Sequence, residues 1–280
     1  MNRPPNFEDS PGYRRVAADG ATDTVIDIGP ARIGDDSFTL IAGPCAIESA
    51  DQIDETAHLV ADAGATALRG GAYKPRTSPY SFQGLGLDAV EMMRRAADDA
   101  DLGMITEVPG PEQIEAMEPL VDAFQVGARN MQNFVLLEAL GQTDHPVLLK
   151  RNFGATATEW LFAAEHIAAA GNDRIVLCER GIRTFGDELR FTLDIAGALW
   201  AQRESHLPVI VDPSHATGDP QLVAPLVRAA YAAGLDGAMV EVHPRPRCAR
   251  CDGDQALDFP AFHNLCTELT DLAAGDRGTT

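Results

Sequence analysis

The chain has 280 residues and only two lysines, Lys74 and Lys150; every other basic side chain is arginine. Each lysine sits just beyond or at the end of a short apolar run, ATALRG (65 to 70) and PVLLKR (146 to 151). Arginine supplies charge equally well, so what lysine adds is a compact ammonium that can give up a proton when its pKa is lowered. A second set of reactive side chains follows other short runs. Cys45 succeeds TLIAGP (39 to 44), Asp212 and His215 lie at the end of and beyond PVIVDP (208 to 213), and Glu241 belongs to GAMVEVH (237 to 243), with Asp252 in the segment after it. A thiol, an imidazole and carboxylates together can ligate a divalent cation such as Zn2+, Fe2+, Mn2+ or Co2+ better than Mg2+ or Ca2+.

These residues need a frame that brings distant segments to one place. Eight short apolar runs, with GMITEV (103 to 108), AFQVGA (123 to 128) and RIVLCER (174 to 180) added to the five above, alternate with longer amphipathic stretches rich in Ala, Leu, Asp and Glu. Strands buried on both faces and separated by helices read in this way, and eight such units closing on themselves make a (β/α)8 TIM barrel. A doubly wound open sheet is the alternative, but no Gly-x-Gly-x-x-Gly follows the first run. Helices are expected over DQIDETAHLVADAG (51 to 64) and ATEWLFAAEHIAAAGN (157 to 172), with a less distinct one between the third and fourth strands. Residues 24 to 34 read as a short β-hairpin around Gly29-Pro30. The expected organisation is a disordered segment over 1–23, a single barrel domain over 24–272 and a frayed terminus over 273–280.

Barrel enzymes carry their sites at the C-terminal ends of the strands. Arg69, Lys74, Arg76, Arg129, Lys150, Arg180 and Arg183 all fall there, as do Thr77, Glu107 and Glu179. In a protein with a formal net charge of −20 this is a local cationic basin, suited to a substrate with two anionic groups. The same charge argues against nucleic acid as a partner. No apolar run approaches the roughly 20 residues of a membrane span, and MNRPPNFEDSPGYRRVAADG lacks the apolar core of a signal peptide, so a cytoplasmic protein is expected. In a closed barrel the first, seventh and eighth strands are neighbours, so Cys45, His215, Glu241 and Asp252 can converge on one metal; the plainer alternative is a packed cysteine and a hydrogen-bonded histidine. Cys248 and Cys251 form a C-x-x-C with no second pair at zinc-site spacing, and read as incidental.

The stretches GPCAIES (43 to 49), RGGAYKPRTSPYSFQGLG (69 to 86), QVGARNMQNF (125 to 134), CERGIRTF (178 to 185) and VDPSHATG (211 to 218) resemble the 3-deoxy-D-arabino-heptulosonate 7-phosphate (DAHP) synthases. The resemblance is to the short microbial type I subgroup, akin to the 3-deoxy-octulosonate 8-phosphate synthases, and spans about residues 24 to 258. It implies an enzyme that condenses phosphoenolpyruvate with erythrose 4-phosphate at the head of the shikimate pathway. It further implies a divalent metal on Cys45, His215, Glu241 and Asp252, and phosphoenolpyruvate on Arg69, Lys74, Arg129, Lys150 and Arg180. The aldose phosphate would meet Arg76 and Thr77, and Pro75-Arg76-Thr77 favours erythrose 4-phosphate over arabinose 5-phosphate because the octulosonate enzymes carry an Ala-Asn-Arg version. Lys74, Cys45, His215 and Asp212 form the expected catalytic group, with Lys74 as acid for the developing alkoxide and water on the metal as the competing donor. A homo-oligomer, tetramer or dimer, is expected on the same ground.

Two departures stand out. Asn152-Phe153 replaces the family's usual Gly-Met, with Asn a residue that tolerates a left-handed backbone. HPRPRCARCDG is less acidic than in relatives and places two extra thiols near Asp252, where they could alter the metal preference or sensitise the enzyme to oxidation. Competing readings are a synthase for a different aldose phosphate and a non-catalytic barrel that senses a metabolite.

Overall fold

Runs such as Thr39–Gly43 and Ile175–Glu179 are buried along their whole length, as strands covered on both faces must be. The computed structural model describes residues 12–75 and 78–277. Two short strands, β1 (Ile26–Ile28) and β2 (Ala31–Ile33), precede eight parallel ones: β3 (Thr39–Gly43), β4 (Ala67–Arg69), β5 (Gly103–Glu107), β6 (Ala123–Val126), β7 (Val147–Lys150), β8 (Ile175–Glu179), β9 (Val209–Val211) and β10 (Gly237–Glu241). They pair in sequence order and close through β10 on β3, with Glu241 opposite Gly43. The fold is the (β/α)8 barrel expected from the eight runs.

Strand periodicity decides what faces the barrel axis. Ile41, Ala67, Ile105, Ala123, Leu148, Val176, Cys178, Ile210 and Met239 form the inner cluster, whereas Leu40, Leu68, Phe124, Leu149, Leu177 and Val240 pack outward on the helices. Two residues beyond the inner set lie Arg69, Glu107, Gln125, Lys150, Arg180, Asp212 and Glu241. One parity therefore carries the core at the bottom of the barrel and the charged groups at its upper rim. Arg151 and Glu179 have the opposite parity, and their side chains meet each other at 3.1 Å on the helical side.

The helices hold this register. In α1 (Ala50–Ala63) the Ser49 hydroxyl accepts from the Gln52 amide and Gly64 ends the helix at φ 109°. A capping box between Thr156 and Glu159 opens α2 (Ala157–Ala170), and buried Trp160 donates from Nε1 to the Leu149 carbonyl on β7. The less distinct helix before β6 is a single turn, Ile114–Met117, between 3-10 turns that contain Pro111 and Pro119; proline supplies no amide donor to extend it.

The β1–β2 hairpin closes the lower end, with Ile26, Ile28, Ala31 and Ile33 packed into the inner cluster. Residues 12–23 depart from the expected disorder. Val16 is buried, the Arg15 and Val16 amides donate to the Glu165 carboxylate, and the Ala18 amide donates to the Glu204 carbonyl at 3.0 Å. The last helix, Phe259–Arg277, also runs past the expected start of fraying at 273, because Leu265, Cys266 and Leu269 anchor it. Residues 1–11 and 278–280 lie outside the described residues. No helix among the described residues is long and apolar enough to cross a membrane.

Gly43 shows how tightly the upper rim is built. It sits at φ 149°, and a Cβ there would lie 2.0 Å from the Arg69 carbonyl oxygen. Gly43→Ala should therefore destabilise the protein by about 1–3 kcal/mol in chemical denaturation and shift Cys45 and Arg69 together.

Candidate active site

Eight side chains converge at the C-terminal rim of the barrel. Arg69 donates from Nη1 to Glu241 Oε1 (3.0 Å) and to the Pro44 carbonyl (2.9 Å). The same Glu241 oxygen is 3.1 Å from His215 Nε2. The Asp212 carboxylate accepts from the His215 backbone amide at 3.0 Å, faces His215 Nδ1 at 2.7 Å and is also held by the Lys150 ammonium. Lys74 Nζ donates to the Cys45 carbonyl (2.9 Å) and to its Sγ (3.1 Å), and Cys45 Sγ donates to Asp252 Oδ2 at 3.4 Å. Asp212, Glu241, Arg69 and Lys150 are buried, so each charge depends on its partner.

One ligand atom from each of Cys45, His215, Glu241 and Asp252 lies within 4.8 Å of the other three. That spread suits donors about 2.0–2.3 Å from one ion. The protonation pattern fits as well. Burial lowers the His215 pKa against the pull of Asp212 and Glu241, so the ring is neutral near pH 7. Asp212 accepts the Nδ1 proton, which leaves the Nε2 lone pair facing a Glu241 carboxylate oxygen at 3.1 Å. Two acceptors in contact call for a cation between or beside them. Asp252 adopts a left-handed backbone, φ 50°, that aspartate tolerates, and this turn directs its carboxylate to the cluster.

Beside the cluster lies a cavity of about 390 Å³ lined by Arg69, Lys74, Arg129, Lys150, Arg180, Glu107 and Gln125. Arg180 is buried, donates from Nη2 to the His215 carbonyl (3.0 Å) and stacks over the Phe191 ring at 4.7 Å. Its Nη1 is buried with no hydrogen-bond partner among the described residues, as is Nε of Arg69. Buried guanidinium donors left unsatisfied are costly, so they mark where an anion belongs.

The structure also sorts the expected residues. Arg76 and Thr77 lie outside the described residues. Arg183, expected in the cationic basin, is exposed and stacks over Phe153 instead. Glu179 accepts from Arg151 and from the Gly181 amide, a structural role set by its outward parity. Asn152 is not left-handed; its side chain donates to the Ala128 carbonyl and accepts from the Gly154 amide. Phe153 stacks on Phe191 at 5.1 Å, the ring that supports Arg180. The pKa of Lys74 is raised, not lowered: burial opposes its charge, but the Cys45 and Cys251 sulfurs and Glu107 outweigh that.

Arg190 and Gln255 were missed, and Cys251 was placed only as near Asp252. Arg190 lines the cavity and donates from Nη1 to Gln255 Oε1 at 2.8 Å, while Gln255 Nε2 donates to Glu241 Oε2. Cys251, read as half of an incidental C-x-x-C but also as an extra thiol near Asp252, is buried with its Sγ 3.0 Å from Cys45 Sγ. Their loops carry no periodic signal; the position of Gln255 three residues after Asp252 was the available clue.

Burial alone would raise the Asp212 carboxyl, but His215 and then Lys150 hold it well below its ordinary range. Its stabilisation is therefore fully present above the unfolded pKa of about 4 and lost as pH falls through the lower folded value. Asp212→Asn should cost about 3–5 kcal/mol at pH 7, since it strands Lys150. Urea titrations at pH 7 and pH 3 should show that cost shrink toward low pH; an equal loss at both would contradict the pairing.

The geometry agrees with what the chain is similar to. The family model described as DAHP synthetase I family matches residues 22–274. A phospho-2-dehydro-3-deoxyheptonate aldolase of Thermotoga maritima is 52% identical over 251 residues, which cover 90% of this chain and 74% of that protein. A 2-dehydro-3-deoxyphosphooctonate aldolase of Nitratidesulfovibrio vulgaris is 32% identical, over 83% of this chain and 91% of the relative. The crystal structure of the Thermotoga maritima phospho-2-dehydro-3-deoxyheptonate aldolase (DAHP synthase) superposes with a TM-score of 0.91 at 50% identity, covering 94% of this chain and 77% of that one. A truncated form of the 3-deoxy-D-arabino-heptulosonate 7-phosphate synthase from the same organism gives 0.86 at 46%, with 93% and 96% covered. With a matching family model over nearly its whole length and these barrels as its structural relatives, the chain belongs to the DAHP synthetase I family.

Proposed function

We propose that this protein is a 3-deoxy-7-phosphoheptulonate synthase, condensing phosphoenolpyruvate with D-erythrose 4-phosphate and releasing inorganic phosphate, the first step of the shikimate pathway. The observation that carries the reading is the pair of unsatisfied buried guanidinium donors, Arg180 Nη1 and Arg69 Nε, beside the four-donor cluster. Arg69, Arg129, Lys150 and Arg180 hold the phosphate and carboxylate of phosphoenolpyruvate. This removes much of the entropy of encounter and neutralises a dianionic group inside an acidic protein. Cys45, His215, Glu241 and Asp252 hold one divalent ion, Mn2+, Co2+, Fe2+ or Zn2+, which when bound supplies Lewis-acid polarisation of the aldehyde.

Carbon 3 of the enol ether attacks the aldehyde carbon. Lys74, kept protonated by its raised pKa, donates its proton to the developing alkoxide, which is far more basic than an amine. Water adds at carbon 2, and the hemiketal phosphate breaks its C–O bond to expel phosphate. Arg76 and Thr77, from the Lys74-Pro75-Arg76-Thr77 loop, are read as contacts for the phosphate of the aldose. Erythrose 4-phosphate is preferred to arabinose 5-phosphate because identity to the heptonate aldolase is 52% against 32% to the octonate aldolase. Exposed Phe134 and Val135 support the expected homo-oligomer.

Phosphate release from phosphoenolpyruvate should require erythrose 4-phosphate, stop with a chelator and return with Mn2+; release with arabinose 5-phosphate alone would overturn the aldose assignment. Lys74→Met should lower kcat by about 100-fold or more with phosphoenolpyruvate affinity little changed, read by steady-state kinetics and calorimetry. Gln255→Leu removes the donor that orients Glu241, and should weaken metal affinity by about 10–100-fold in a competition titration with a chromogenic chelator.

A further inference from the structure

The barrel places β7 between β6 and β8, so the turn that follows β7 lies between the segments that carry Arg129 and Arg180. Asn152 and Phe153 in that turn reach one to each side. Toward β6, the Asn152 carboxamide donates from Nδ2 to the Ala128 carbonyl at 2.9 Å, and its backbone amide donates to Met131 Sδ at 3.2 Å. These contacts bracket Arg129, which sits in the 3-10 turn Ala128–Asn130. Toward β8, the Phe153 ring stacks on Phe191 at 5.1 Å, and the Arg180 guanidinium lies over Phe191 at 4.7 Å. Both rings have anchored backbones: the Phe153 carbonyl accepts from the Arg183 amide at 2.8 Å, and the Phe191 amide donates to the Ala216 carbonyl at 2.7 Å. Gly181, at φ 97°, permits the close approach, since a Cβ there would lie 2.7 Å from Phe191 Cβ. Among the described residues, Arg129 and Arg180 line the substrate cavity, whereas Asn152, Phe153 and Phe191 do not.

We infer that Asn152 and Phe153 are positioning residues: the turn after β7 sets the separation of Arg129 and Arg180, and with it the affinity for phosphoenolpyruvate. The inference rests on the reading of both arginines as phosphoenolpyruvate ligands. Two guanidinium groups hold one anion tightly only when they already stand at the spacing of its oxygens, because ordering a long side chain on binding costs entropy. Arg180 Nη2 is tied to the His215 carbonyl, but that bond alone leaves the guanidinium plane free to tilt. The Phe191 ring removes that freedom, and Phe153 keeps Phe191 in place. Exposed Arg183, over Phe153 at 5.5 Å, completes the stack on its solvent side. At Arg129 the side chain is itself exposed, so what Asn152 fixes is the backbone from which it extends. The two neighbouring residues thus act on two ligands of one anion, and neither needs to touch it.

The test uses the full-length protein loaded with Mn2+, with phosphoenolpyruvate binding measured by calorimetry and steady-state kinetics run on both substrates. Phe153→Leu and Phe191→Leu should each weaken phosphoenolpyruvate binding about ten-fold and raise its KM in step, with kcat and the KM for erythrose 4-phosphate little changed. Asn152→Ala should weaken binding about three-fold. Phe153→Tyr keeps the ring and should bind phosphoenolpyruvate as the unaltered protein does. Unchanged phosphoenolpyruvate affinity in Phe153→Leu and Phe191→Leu would overturn the inference. So would a lower kcat at unchanged KM, which is what a partly unfolded preparation gives. Failure of the unaltered protein to bind phosphoenolpyruvate would instead overturn the proposed function, on which the inference depends.

Discussion

The inner rim of an eight-stranded barrel has little room for unpaired charge, and this constraint organises the site. Glu241 illustrates it: one carboxylate oxygen is shared by Arg69 and faces His215, and the other accepts from Gln255, itself held by Arg190. Asp212 performs the same service for Lys150 and His215. Each buried cation lies against a carboxylate, and each carboxylate stays ionised because its partners outweigh its burial. The network is thus assembled before any substrate arrives. Preorganised charge of this kind need not reorient during reaction.

What the network leaves over defines function. The paired atoms hold one another in place, and Arg180 Nη1 and Arg69 Nε are buried without a hydrogen-bond partner among the described residues, so they are the donors left to meet an anion. The Arg180 plane is set by a stack of Phe191 on Phe153. Phe153, a departure from the family pattern, therefore supports Arg180 from one layer behind.

The cysteines follow a similar logic. Cys45 is placed by β3 closing on β10, the step that completes the barrel. Its thiol is kept protonated by the neighbouring Cys251 sulfur, by burial and by Glu241, while Lys74 pulls the other way. A metal would tip that balance toward the thiolate, since coordination needs the deprotonated sulfur.

Eight apolar runs and their spacing were enough to read the barrel, and because side chains alternate along a strand, the residues at run ends were already marked as rim groups. Cys45, His215, Glu241, Asp252, Lys74 and Lys150 were legible for that reason. Parity within a run was equally available in the letters, yet which parity faces the axis depends on how the strands tilt and close. That is why Glu179 looked like a site residue until its outward pairing with Arg151 was seen. Arg183 turning out to Phe153, Gln255 reaching Glu241 and Cys251 meeting Cys45 depend on irregular loops, whose paths are set by contacts between segments far apart in sequence. The sequence by itself determined the strands, the rim chemistry and the family; only the closed barrel decided which charges pair with one another and which remain to hold a ligand, because pairing is a property of distance in space.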